Sequence, residues 1–165
     1  MAWPTFSALI GVHHWLDELF LRHQDALLAL DVIEAQRRLQ VYKQALQTHI
    51  EDEDTRLIPV YDARTADIPG GGKQFFIGEH VKLQEILAHC ERLLGELAEM
   101  PVEARSRHAI ALFDREAFYK SLVEHHHARE QNILFPWLDK VTTDAERTEL
   151  LAQCASLTAF RAAHA

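Results

Sequence analysis

Two segments of this chain carry the same spaced pattern, and that repetition limits what the chain can fold into. One reads His49-x-x-x-Glu53-x-x-x-Leu57-Ile58-Pro59, the other His126-x-x-x-Glu130-x-x-x-Leu134-Phe135-Pro136. The spacings match position for position, as expected of one helical hairpin used twice. A His and a Glu four residues apart lie one turn above each other on a single helix face. In both segments that face is also the apolar stripe, so each pair is expected to point into the core. Buried ionisable groups are costly unless they are paired or bound to a metal. Two helices that each carry one such pair therefore predict a shared polar centre inside an otherwise apolar interior.

The rest of the chain reads as helix. Gly and Pro number only 6 and 5 among 165 residues, and 48% of the residues are hydrophobic. A first helix, A, is expected from about Thr5 to Leu30, with Leu9, Leu16, Phe20, Leu27 and Leu30 on its seam and His13 and His23 on the same seam. After a short connection at Asp31, helix B runs from about Val32 to Ile58 with Leu39, Tyr42, Leu46, His49, Glu53 and Leu57 on one face, and Pro59 ends it. The stretch Asp62 to Lys73, containing Pro69-Gly70-Gly71-Gly72, is the clearest loop. Helix C spans about Gln74 to Glu99, with Phe76, His80, Leu83, Leu87, Leu94 and Leu97 inward, and Pro101 marks the next break. Helix D spans about Glu103 to Leu138, with Leu112, Tyr119, Val123, His126, Glu130, Ile133 and Trp137 on one stripe. Thr143 and Glu146 read as a capping box that opens a last helix near Asp144. The economical architecture is all-α: an antiparallel up-down-up-down four-helix bundle over residues 5–140, with an additional C-terminal helix over 144–162, in a single domain of residues 1–165.

Charge and composition exclude other classes. Acidic residues outnumber basic ones 25 to 17, a formal charge of −8, which disfavours nucleic acid and anionic membrane surfaces as partners. No apolar run approaches the length of a membrane span. The start Met1-Ala2-Trp3-Pro4 has neither a basic region nor a cleavage site of small residues, so a cytoplasmic location is expected. Cys90 and Cys154 are far apart, fall in no metal or redox motif and are expected to be free thiols.

Eleven histidines are many for this length, and their positions are ordered. His13 and His49 stand eighteen residues before and after Asp31, so in an antiparallel hairpin they are level and should meet. His80 and His126 are level to within a turn or two across the break near Pro101. The expected metal ligands are His13, His49, Glu53, His80, His126 and Glu130. Four imidazoles and two carboxylates suit a pair of iron ions, with zinc or manganese as possible substitutes. Of the adjacent pair on helix A, His13 lies on the seam and His14 is rotated about 100° from it, which favours His13. His125 and His127 are expected to face solvent or a helix boundary, and His23 to be a core histidine too low for the site. Tyr42 and Tyr119 are either ordinary core aromatics or hydrogen-bonding partners of a bridging ligand. In the acidic run Glu51-Asp52-Glu53-Asp54 only Glu53 is expected inward.

These motifs together resemble the hemerythrin-like (HHE cation-binding) domain family. The resemblance rests on His13-His14-Trp15-Leu16-Asp17, on His49 to Glu53, on Glu79-His80, and on His126-His127-Ala128-Arg129-Glu130 with Leu134-Phe135-Pro136, and covers about residues 5–140. It implies an oxo- or hydroxo-bridged di-iron site that meets O2, peroxide or another small diatomic ligand, in oxygen, redox or iron sensing or storage. The chain departs from the oxygen-carrying members on helix C, where they place a second histidine one turn from the first. Here the corresponding neighbours of His80 are Phe76 and Gln84. That departure argues against reversible oxygen carriage and leaves a small redox enzyme acting on peroxide or nitric oxide, or repair of iron centres, as the alternative. A ferritin-like site would need two Glu-x-x-His motifs; only Glu124 to His127 matches. The His-Glu-x-x-His of zinc hydrolases is absent. A metal-free helical interaction protein is the remaining alternative. No output domain is visible, so no protein partner is named.

Overall fold

The computed structural model describes residues 4–165, and the described residues are helical with no strand. Met1–Trp3, on which part of the leader argument rests, lie outside the described residues. A 3₁₀ turn, Phe6–Leu9, leads into α1 (Ile10–Leu28), followed by α2 (Val32–Asp52). A π-helical turn, Glu53–Leu57, joins α2 to α3 (Ile58–Arg64). Then come α4 (Lys73–Glu99) and α5 (Val102–Arg129). A second π-helical turn, Glu130–Leu134, joins α5 to α6 (Phe135–Val141), and α7 (Asp144–Gln153) and α8 (Ala155–Ala163) close the chain. Helix α1 packs along α2 and α4 along α5, while α2 also meets α4 and α1 meets α5. Helix α8 lies against α1 and α2, and α3 touches α6. Among the described residues no helix is long and apolar enough to cross a membrane. Cys90 and Cys154 are buried free thiols.

The first connection is tight because α1 ends in a Schellman motif. The Asp31 amide donates to Ala26 O at 3.0 Å and the Leu30 amide to Leu27 O at 2.9 Å. Leu30 adopts φ 56° to make this turn, a conformation usually left to glycine, and is only half-buried rather than fully on the seam. Asp31 then caps α2 by accepting from the Glu34 amide at 3.1 Å. The α4–α5 connection is two extended residues, Met100 and Pro101. Arg105 donates to Met100 O at 3.1 Å and Ala98 O at 3.0 Å, satisfying carbonyls that α4 leaves free.

Pro59 does not end the second helix as its position suggests. The Ile58 amide reaches back five residues to Glu53 O, and the Phe135 amide does the same to Glu130 O. A proline ring collides with the carbonyl four residues earlier and offers no N–H to it. One wide turn before each proline removes that conflict, and Pro59 and Pro136 then sit in the first turn of α3 and α6, where no N–H is required. The inserted residue changes the phase. Below the second turn Leu134, Phe135 and Leu138 are buried, whereas Ile133 and Trp137, expected inward, are half-buried. Such π turns recur at functional sites.

The C-terminal segment also differs from the single helix expected. The Thr143–Glu146 capping box is present, but Cys154 is extended and splits the segment into α7 and α8. The cause lies on α2. Asp52, expected to be solvated, is 2% exposed. Its carboxylate accepts from the Ala155 amide at 3.1 Å, the Ser156 amide at 2.8 Å and the Ser156 hydroxyl at 2.7 Å. It therefore caps α8 from another helix, with Arg56 Nη1 3.4 Å away. Asp52→Ala leaves two amides without this acceptor and is expected to cost about 1–3 kcal/mol in urea unfolding, while the exposed Glu51→Ala stays within about 0.5 kcal/mol.

Candidate metal centre

All six expected ligands are buried: His13, His49, His80 and His126 are 1–2% exposed, and Glu53 and Glu130 are fully covered. His14 is exposed, so helix phase alone separates the two neighbours on α1. Level placement across the Asp31 connection brings His13 Nε2 to 3.1 Å from His49 Nε2. On the other hairpin His80 Nε2 lies 3.2 Å from His126 Nε2. The two carboxylates stand between these imidazole pairs, each with one oxygen toward either side. Glu130 Oε2 is 3.2 Å from His13 Nε2, and its Oε1 is 2.8 Å from His126 Nε2 and 3.7 Å from His80 Nε2. Glu53 Oε1 is 3.6 Å from His49 Nε2 and Oε2 is 3.2 Å from His80 Nε2.

These approaches are close, yet none of the four carboxylate oxygens makes a hydrogen bond among the described residues. The tautomers explain part of the difficulty. His80 Nδ1 donates to Asp54 Oδ1 at 2.7 Å, and His126 Nδ1 donates to Glu79 Oε2 at 3.1 Å. A carboxylate only accepts, so both protons of the neutral rings are committed there. Both Nε2 lone pairs then face each other and the Glu53 and Glu130 oxygens. Lone pairs pressed together in a dry interior demand protons or cations between them. Two donors bound to one cation at about 2.1 Å and at right angles stand about 3 Å apart, which is the Nε2–Nε2 spacing on both sides.

In the metal-free chain protons fill that role. Burial alone would depress the His80 imidazolium, but Asp54, Glu130 and Glu53 outweigh it and hold its pKa up to about 12. Burial is likewise overcome at His126, which Glu130 and Glu79 raise to about 9. Burial and the neighbouring Glu130 lift Glu53 to about 8. Glu130 goes the other way: burial opposes its charge, but His126, His13 and His80 keep it well below the carboxylate range. His49 is pushed well down by burial and then by His13.

One residue of the centre was expected elsewhere. His127 does not face solvent; it is 6% exposed, and its ring stacks on His13 with centroids 3.8 Å apart and planes 3° from parallel. Its Nε2 is buried without a partner, and burial with His13 lowers its pKa to about 2. The signal was in the spacing: Val123, His127, Glu130 and Leu134 follow the 4-3-4 rhythm of the buried stripe. Two buried groups of donors can each hold a metal ion: His13, His49, His127 and Glu130, and Glu53, His80, His126 and Glu130. His125 is exposed as expected.

The neighbours fix the site from outside. Arg129 Nε donates to Glu79 Oε1 at 2.9 Å, and Arg129 Nη1 donates to Gly70 O at 2.6 Å, so the glycine loop is tied to the carboxylate that orients His126. Gly71 is required here, because a Cβ would come within 2.7 Å of the Tyr61 hydroxyl, which donates to Gly71 O at 2.7 Å. Below the site, the Tyr42 and Tyr119 hydroxyls bond each other at 2.6 Å and reach neither carboxylate. They form part of the wall of a cavity of about 390 Å³ that His14, Asp17 and Lys120 also line. His23 is a satisfied core histidine: Nδ1 donates to Ala35 O at 2.8 Å, and Nε2 meets Glu116 Oε1 at 2.7 Å. Gln84 faces solvent, and Phe76 packs on Tyr61, so neither joins the centre. Comparison with protein-family models, with curated proteins and with solved structures gives no match for this chain.

Proposed function

We propose that the chain is an up-down-up-down four-helix bundle of the hemerythrin-like kind, that it holds two iron ions between its long helices, and that it binds or reacts with O2 or a related small oxidant. The observation that carries this reading is the placement of Glu53 and Glu130, each with one oxygen toward the His13–His49 pair and one toward the His80–His126 pair. Two carboxylates shared in this way between two imidazole pairs suit two cations side by side. The neighbour relations of α1, α2, α4 and α5, each touching two of the others, support the bundle. Nitrogen and oxygen donors without thiolate suit iron and also admit zinc or manganese. Iron supplies one-electron chemistry and open coordination positions to a small oxidant.

The protein's own part is positioning and exclusion. Asp54 and Glu79 fix the tautomers of His80 and His126, and Phe135 lies 5.6 Å from the His13 ring on the side toward α6. The cavity beside Tyr42 and Tyr119 offers room for a small molecule on the side of α1 and α5. With Phe76 packed away and Gln84 outside, α4 offers the centre one imidazole, which favours oxidation chemistry over reversible oxygen carriage. Peroxide or nitric oxide as reactant is the second reading, supported by that same feature.

Three measurements test this function. After anaerobic loading with Fe(II), metal analysis is expected to give two irons per chain; less than one iron in a folded chain sinks the reading. Glu53→Ala and Glu130→Ala are each expected to lower iron content about tenfold or more, at least the loss in affinity that follows removal of a residue that only orients a ligand, whereas the exposed Glu51→Ala and Glu124→Ala leave it unchanged. Equal loss in all four would show that the shared carboxylates hold nothing. The third measurement is pH dependence. His80, His126 and Glu53 carry protons at neutral pH in the metal-free chain, with pKa values raised to about 12, 9 and 8. Loading must expel them, so apparent affinity is expected to rise from about pH 6 to about pH 8 with measurable proton release. An affinity flat across that range would contradict the site.

A further inference from the structure

The two imidazole pairs are built differently. His80 and His126 each donate Nδ1–H to a carboxylate, Asp54 at 2.7 Å and Glu79 at 3.1 Å. Nothing comparable stands behind the other pair. His49 Nδ1 is buried with no partner, and His13 Nδ1 has only the side-chain amide of Gln131 at 3.5 Å. That side has instead a third ring, His127, whose buried Nε2 also lacks a partner. We propose that the two cation positions are inequivalent: His127 is a ligand of the position framed by His13 and His49, while Asp54 and Glu79 are positioning residues for the position framed by His80 and His126. This rests on the metal reading above.

The physics differs on the two sides. A carboxylate behind an imidazole locks ring orientation and tautomer and makes Nε2 a stronger donor. It also adds negative charge close to the cation. Arg129, bound to Glu79, offsets part of that charge, so Asp54, with no such partner, supplies the larger share. On the His13–His49 side no carboxylate among the described residues is hydrogen-bonded to the rings, and that side gains affinity from ligand number. The stack of His127 on His13 holds that third ring in place without a hydrogen bond. An unpaired imidazole nitrogen in a dry interior is costly for a merely structural residue, and binding to a cation removes the cost. The two positions therefore respond to different residues, and a chain holding a single cation is a distinct species, not an average of two.

The test is an anaerobic titration of the full metal-free chain with Co(II), followed by calorimetry, by visible absorption and by the shifted ring N–H proton resonances of cobalt-bound imidazoles. Two binding steps are expected. His127→Gln should weaken one step by about 10- to 100-fold and leave the other within about threefold. Asp54→Asn and Glu79→Gln should weaken the other step by a similar factor and alter the exchangeable ring N–H signals of that position, a change that loss of fold stability alone does not make. Asp54 is one-third exposed and its replacement is expected to fold; circular dichroism of each metal-free variant checks this. If the three variants weaken the same step, or none weakens either, the inequivalence is overturned. If the unaltered chain shows no cobalt step, the metal reading itself fails, and that result is distinguishable because it appears before any substitution.

Discussion

The structure is organised around a repulsion. Four imidazole nitrogens and four carboxylate oxygens are pressed into one dry volume, and two of those nitrogens, on His80 and His126, have their ring protons committed elsewhere. Nothing in an apolar core makes such an arrangement favourable by itself. It has to be offset by the surrounding burial, at about 1.5–3 kcal/mol for each large apolar side chain, and by whatever positive charge occupies the centre. Leu9, Leu16, Leu46, Leu83, Val123, Phe135 and Leu138 supply the first term. Protons supply the second in the metal-free chain, and on our reading cations supply it when the protein is loaded.

Much of this could be read from the sequence because helix geometry is arithmetic. The repeat gave two His–Glu pairs the same phase as the apolar stripe, and equal distances from Asp31 put His13 level with His49, which the structure places 3.1 Å apart. Where the structure departs from these expectations, a local rule meets a tertiary fact. Flanking the ligand position of His126, His127 is expected at solvent or at a helix boundary, yet a stripe more than 100° wide has room for both rings. Asp52 looked like one more solvated acid, and only the return of the chain as α8 turns it into a cap. An unbroken 3.6-residue period puts Ile133 and Trp137 inward, and the π turn interrupts that period. Asp54 and Glu79 had no signal of their own, since a carboxylate that orients a buried ring from outside is indistinguishable in sequence from a surface charge.

The centre is also held at long range. The chain of contacts from Gly70 through Arg129 and Glu79 to His126 joins the most irregular segment of the molecule to its most buried polar group. Phe75 lies under the same guanidinium, 5.2 Å from its ring centre. A loop that would otherwise be free to vary in length and sequence is thereby bound to the geometry of an imidazole on α5.

The wide turns before Pro59 and Pro136 set a limit on how such a chain can change. Each stores one extra residue between a buried carboxylate and a proline without interrupting the helix. Loss of a residue from that stretch would restore ordinary winding and leave the downstream faces nearly in phase, because one wide turn sweeps about the same angle as one ordinary turn, but it would drive the ring of Pro59 or Pro136 back into the carbonyl four residues earlier. Each of these five-residue turns is thus a stretch where a deletion is opposed by the proline that follows, even though several side chains in it, such as Thr55 and Asn132, face water. Substitution at those water-facing positions is cheap and a shift in length is not, so drift in this chain has to alter the letters at such positions while keeping their count.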